Sequence, residues 1–483
     1  MKKSNKTRPN KKPDEVPNHK PAKFDNIGLL VPEILLPNSK IDVTKWSVVA
    51  CDQYTSQPEY WNNAAKIVGP SPSTLKIIFP EIFLEEKGKE KRISSIQSEM
   101  KKYLKDKTLA SQGQCLIFVD RKTSHTNSRK GLIVALDLEK YDYNKGSQTL
   151  IRATESTVLE RLPPRIKIRE NACIESPHIM VLIDDPKKNV IEPLSSLSQK
   201  GKLQKLYDFD LMLDGGHIKG FKVDDPRLIE SIASALEKLA DRKAFNSKYG
   251  LKESAAKNAG ILLFAVGDGN HSLATAKAIW KEKKKKLIPE EFETDPARYA
   301  LVELVNVHDF GLVFEPIHRV VFDIDIEDAL ENITEYFKRN GSDILVKSLP
   351  DTKSVKSAIR KTKNIQVVGF VHEKGFGIIS IKNPKSNLEV GTLQGFLDEY
   401  LRTAKSPKSA GAKAAPKIDY IHGDDIVEEL GKKPGNIGFF LPAMEKTDLF
   451  KTVILDGVLP RKTFSMGEAE EKRYYLECRK IIK

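Results

Sequence analysis

An acid, an amide, an imidazole and a hydroxyl fall within five consecutive residues, Asp268, Gly269, Asn270, His271 and Ser272. They follow an apolar run over 261–266 and precede an Ala-rich stretch over 273–280, so the expected order is strand, glycine turn, helix. Such a junction binds anions, because the first N–H groups of a helix have no intrahelical acceptor and the helix dipole adds positive potential there. Asp268 and His271 are the acid–base candidates. The backbone at Gly269, with Asn270 and Ser272, supplies phosphate donors. A plain turn with Ser272 as the helix N-cap fits the same pattern, but it has no need of a histidine.

Other charged groups gather in short segments. Arg152, Glu155, Arg161 and Arg165 lie close together, and Arg461 and Lys462 share a loop. Arginine forks bind phosphate or carboxylate bidentately, and Glu155 is placed to orient one or to act as a base. A salt-bridged surface helix and an exposed basic turn explain the same residues without a ligand. His318 and Arg319 follow Glu315-Pro316, and His217 ends the turn Asp214-Gly215-Gly216; both are most simply structural. Cys51 beside Asp52 is either a reactive thiol or, more simply, a buried inert one.

The elements that must position these groups alternate irregularly. Short strands are expected at 27–32, 46–50, 179–183, 301–306 and 437–441, with a hairpin from 115–119 and 131–136. Helices are expected around 59–61, over 92–107 and over 228–239, with a terminal helix closing the chain. The segment 151–165 reads as a strand leading into a helix that Pro163 and Pro164 end. This mixture predicts an α+β fold with mixed sheets and an inserted smaller α/β subdomain. The expected division is a disordered basic tail over 1–25, a main domain over 26–324, an inserted subdomain over 325–403, a flexible linker over 404–416, and a return to the main domain over 417–483.

The chain has 483 residues, 40% hydrophobic and 30% charged, with a formal net charge of +14. Residues 1–23 hold eight basic residues against two acidic ones. The Lys-rich run 281–286 reads as a solvated helix C-terminus. No basic patch interleaved with aromatics points to nucleic acid, so a small anionic substrate is the expected partner. There is no apolar run of membrane-spanning length and no apolar core behind the basic start, which makes cytoplasm the expected location. Four scattered cysteines give neither a disulfide framework nor zinc spacing. P-loop, GxGxxG, GxSxG and HExxH signatures are all missing.

The stretch 268–276, together with Cys51-Asp52-Gln53-Tyr54, the residues 152–155, Glu315 to Arg319 and the residues 459–463, resembles the ordered motifs of a conserved family of unknown function, domain of unknown function 1015. Its DGHHR element is similar to the nucleotide-binding motif of the ParB/sulfiredoxin-like superfamily, which includes CTP-binding partition proteins and kinases of free serine. The resemblance implies a ParB/sulfiredoxin-like nucleotide-binding core and a phosphoryl-handling site at 268–272. Asn270 and Ser272 stand where the motif has His and Arg, so the missing cation must come from Arg152, Arg319 or Arg461. The implied activity is a phosphotransferase acting on free serine or a similar hydroxyl. Its donor would be ATP, ADP or pyrophosphate, with Mg²⁺ on Asp268. Glu155, Asp268 and His271 would be catalytic. Gly269, Asn270, Ser272, Arg152, Arg461 and Lys462 would bind phosphate, and Asp52, Tyr54, His318 and Arg319 would bind substrate. A phosphoserine phosphatase and a nucleotide-dependent DNA-binding protein of the ParB type are the alternatives, and a homodimer is compatible with any of them.

Overall fold

Strand Tyr299–Asn306 is buried at all eight positions, which identifies it as a strand covered on both faces. Its side chains alternate between two layers. Ala300, Val302 and Leu304 pack with the helices Pro226–Leu239 and Asn270–Lys284, whereas Leu301 packs with the helix Lys89–Lys105. This strand lies inside an 11-stranded mixed sheet that runs from the edge hairpin Gln204–Asp210 and His217–Val223 to the short strand Tyr141–Asp142. Leu116–Lys122 and Arg129–Asp137 form the expected antiparallel hairpin within it. Met180–Ile183 runs parallel to Tyr299–Asn306, and Phe264–Asp268 runs parallel to Ile151–Ala153. The computed structural model describes residues 22–155, 162–252, 259–359, 365–403 and 416–483.

A second sheet of six strands, antiparallel throughout, carries the order Asp343–Leu349, Gly375–Lys382, Ile365–His372, Ile437–Phe440, His318–Phe322, Lys417–Ile421. It is wider than the interval 325–403. His318–Phe322 enters it from the main-domain side, and the strands of 417–440 complete it before the end of the chain packs against the large sheet without joining it. The reason is pairing: Val320 and Val321 have partners on both neighbouring strands. Its helical layer, Ile326–Arg339 and Glu389–Thr403, shares one apolar core with Leu182, Ala265 and Val305 of the large sheet. The two sheets are thus packed against each other.

Three local expectations are corrected. Pro163 and Pro164 do not end a helix; they stand in the first turn of Leu162–Arg169, where a missing N–H costs nothing. Residues 46–50 make a single bridge, Val49 to Arg473, instead of a strand, although Trp46, Val48 and Val49 are fully buried. The end of the chain carries no terminal helix. After a 3₁₀ turn at Ala469–Glu471 it runs extended through the core, with backbone bonds from Tyr474 N to Val48 O (3.0 Å), Leu35 N to Cys478 O (2.8 Å) and Cys478 N to Leu35 O (2.8 Å). The basic tail up to residue 21, Arg161 and the linker over 404–415 lie outside the described residues. All four cysteines are free.

Candidate functional site

The strand Phe264–Asp268 leads directly into the helix Asn270–Lys284, with Gly269 as the N-cap in the left-handed region at φ 77°. Ser272 therefore lies inside the first turn and is not the cap. Gly269 is required twice over. Its φ suits glycine, and a Cβ there would stand 3.1 Å from the Ile179 Cα, which is backbone and cannot swing aside. Gly269→Ala is expected to destabilise the protein by about 1–3 kcal/mol in denaturant titration and to deform the turn.

Thr154 draws the distant segments together. Its hydroxyl donates to Val266 O (2.6 Å) beside the turn, and its carbonyl accepts from Leu459 N (2.7 Å). Glu155 and the loop carrying Lys462 are thereby brought beside 268–272. The result is a cleft of about 920 Å³ whose walls include Asp52, Glu155, Asp268, His271, Ser272 and Lys462. Gly269 and Asn270 line it too, as do His178, Lys472 and His422. The first-turn N–H groups of Asn270, His271 and Ser272 have no acceptor within their own helix, and these residues face the cleft.

Carboxylates outnumber cations along the cleft: Asp52, Glu81, Glu85, Glu155, Asp268 and Glu468 stand against Arg165, Lys462 and Lys472. Asp268 Oδ1 accepts from Gly269 N (2.8 Å), and its Oδ2 lies 3.7 Å from Lys472 Nζ. Desolvation by the surrounding cleft walls raises the Glu155 carboxyl above its ordinary range, a rise that the residue's exposure to solvent tempers; Lys462 and Lys472 oppose it and Asp268 adds to it. Asp52 moves the other way. Burial pushes it up, but His178, the hydrogen bond from Gln53 and Lys472 outweigh burial and hold it low. His178 Nε2 is 3.1 Å from Ser272 Oγ, and its ring meets Tyr474 edge-on at 4.7 Å. Cys51 is no nucleophile at neutral pH, because burial and then Asp52 and Glu81 push its thiol up to about 12.

The structure places five expected residues elsewhere. Arg152 is 2% exposed and donates to Thr149 O (2.9 Å) and Gly260 O (2.6 Å), so its guanidinium is spent on carbonyls beneath the sheet end. Arg319 is fully buried and donates to Ile317 O and to Arg461 O (3.0 Å). It positions the loop next to Lys462 without reaching the cleft. The Arg461 side chain turns outward to Asp398 at 2.5 Å. His318 is clamped between Leu441 N, which donates to Nδ1 (3.1 Å), and Asp424 at 2.9 Å from Nε2. Tyr54 stacks on Tyr60 at 4.6 Å, away from the cleft lining. The cations that do line the cleft include Lys462, Lys472 and Arg165, the last paired with Glu81.

His178 and Lys472 were not legible in the sequence. His178 follows a lone proline and Lys472 sits in the charged run Glu470-Glu471-Lys472-Arg473, so neither has a spacing that sets it apart. Among the described residues, no group of three or more His, Cys, Asp or Glu side chains is arranged to hold a metal ion. No described helix is long and apolar enough to cross a membrane.

A family model described as a protein of unknown function, DUF1015, matches residues 35–400. The chain belongs to this family. No curated protein matches this DUF1015 member. Among solved structures, a mutant free serine kinase in complex with AMP is 12% identical, with a TM-score of 0.34, over 70% of this chain and 88% of that chain. A mutant free serine kinase in complex with ADP is 12% identical at a TM-score of 0.34, over 73% of this chain and 91% of that one. A conserved hypothetical protein from Pyrococcus furiosus is 12% identical at a TM-score of 0.31, over 69% and 90%. Likenesses this distant carry no argument about chemistry, which rests on the side chains above.

Proposed function

We propose that this DUF1015 protein is a small-molecule phosphotransferase that moves a terminal phosphoryl group from a donor (ATP, ADP or pyrophosphate) to the hydroxyl of free serine or a similar acceptor. One observation carries the reading: the helix N-terminus at 270–272, three cations (Arg165, Lys462 and Lys472) and six carboxylates, drawn from segments hundreds of residues apart, line a single cleft. Phosphoryl transfer needs little else, because catalysis is mainly positioning and charge neutralisation.

The donor phosphates sit on the N–H groups of 270–272 and on Ser272 Oγ, with His271 beside them. Lys462 and Lys472 take the place of the arginine that the DGHHR motif would supply at residue 272. Glu155 accepts the acceptor's hydroxyl proton as that oxygen bonds to phosphorus. The bridging P–O bond breaks and its electron pair leaves with the remaining donor phosphate. A raised carboxyl suits this base role, since basicity closer to neutral strengthens the transfer. Mg²⁺ keeps several waters and shares phosphate oxygens, so it needs few protein ligands; Asp268 would hold it, and it would neutralise donor charge. A ParB/sulfiredoxin-like core is part of this reading, as is a smaller subdomain built on the six-stranded sheet.

Purified protein given serine, Mg²⁺ and each donor in turn should form phosphoserine, detected by mass spectrometry. No product with any donor at millimolar substrate sinks the kinase. Hydrolysis of phosphoserine under the same conditions would transfer the reading to a phosphatase. Within the kinase reading, Lys462→Ala should lower kcat/KM by about 10²-fold while Arg461→Ala changes it by less than about threefold. The reverse order would overturn the assignment of the loop.

A further inference from the structure

Beside the polar cleft lies a second chamber of about 130 Å³, walled by Ile77, Phe79, Met100, Ile168, Ile174 and Ile179. The two spaces share Cys51, Glu81, Leu84, Arg165, His178 and Ser272. The mouth of the chamber therefore stands within the first turn of the anion-binding helix, at the Ser272–His178 contact of 3.1 Å. Glu155 and Lys462 line the cleft and not the chamber. The two ends of the site thus differ in chemistry, with a base and open charge on one side and, on the other, mostly apolar walls broken by the ion pairs Arg165–Glu81 and Arg169–Glu175.

We propose that this chamber receives the nucleobase of the phosphoryl donor, so that the donor is a nucleotide and not pyrophosphate. This rests on the phosphotransferase reading of the cleft. An acceptor such as serine has no apolar limb to insert, and its hydroxyl must stand at Glu155, on the side away from the chamber. A donor held by its phosphates at 270–272 projects its other end past Ser272 and His178. An apolar cavity of roughly 150 Å³ takes up a benzene ring, so a chamber of about 130 Å³ has room for one six-membered ring of a base, with the rest of the base in its mouth. The open mouth lets a flat heteroaromatic ring enter with its polar edge towards the cleft and its faces against isoleucines and Phe79.

Calorimetric titration of the full chain with ADP and with pyrophosphate, both with Mg²⁺, tests this. ADP should bind at least about tenfold more tightly than pyrophosphate, the scale of burying one ring. Ile168→Trp fills the chamber from the partly exposed helix Leu162–Arg169, and should bring ADP down to the affinity of pyrophosphate while leaving pyrophosphate unchanged. Ala172→Leu fills it from a different wall and guards against a folding defect in the first variant. Equal affinity for the two ligands in the parent protein overturns the proposal, as does loss of serine affinity with ADP binding intact. If neither ligand binds, the phosphate reading of the cleft fails and this inference fails with it. Pyrophosphate binding without a preference for ADP leaves that reading standing and removes only the base site.

Discussion

Glu155→Gln should lower kcat by about 10²- to 10³-fold and change donor affinity by less than about threefold. The side chain faces the cleft beside Asp268, and its carboxyl is raised by its surroundings, with Lys462 and Lys472 restraining the rise. Glutamine keeps the shape and can still accept a hydrogen bond, but it cannot take a proton. The parent protein should lose activity as the pH falls through a midpoint above the ordinary carboxylate range. The variant's residual rate should lack that limb. A pH–rate profile of kcat for both proteins is the measurement. A variant with unchanged kcat, or one that loses rate only through KM, would transfer the base role to Asp268 or Asp52.

Glu477→Gln should stabilise the protein at pH 8 by about 3 kcal/mol, and the gain should disappear by about pH 4.5. Glu477 is wholly buried; Tyr207 donates to its Oε1 at 2.7 Å, and its Oε2 has no hydrogen-bond partner among the described residues. Burial pushes the carboxyl up to about 7, Tyr207 opposes the rise, and Glu303 adds to it. A folded-state value above the unfolded one means the folded form holds its proton more tightly. That contribution is complete below the unfolded value and is lost as the pH rises to about 7. Glutamine mimics the protonated acid at every pH, so the parent and variant melting curves should separate as the pH rises. Coincident curves at pH 8 would mean that the buried carboxyl ionises without cost.

Much of the frame is legible in the residues, because apolar periodicity reports burial. The run ending at Val266 and the Ala-rich stretch behind it gave the strand and helix at the cleft. Ile93, Ile96 and Met100 at helical spacing gave a buried helix face. Residues 46–50 look like a strand for the same reason, but their burial comes from packing, and only one bridge forms. Pro163 and Pro164 mislead because proline stops a helix it interrupts and starts one it precedes. The arginines were the hardest to read. Arg152 and Arg319 have the chemistry of phosphate clamps, yet backbone carbonyls within the fold occupy them. A guanidinium's partner is set by tertiary contact, which spacing does not record. Lys472 is the converse case, an ordinary lysine made important by where the chain passes.

That passage has a consequence for how the molecule is made. On the ribosome the 268–272 turn emerges long before Lys472, by on the order of ten seconds at ordinary elongation rates. Until the later stretch arrives, Ala50 lacks its acceptor, the carbonyl of Lys472 at 2.7 Å, and Leu35 lacks Cys478. The nascent protein therefore waits with these early backbone donors unsatisfied and its 268–272 turn short of a lysine. Pairing of these early segments and completion of the cleft come as one late event, so a messenger truncated upstream of codon 472 would yield a chain with neither.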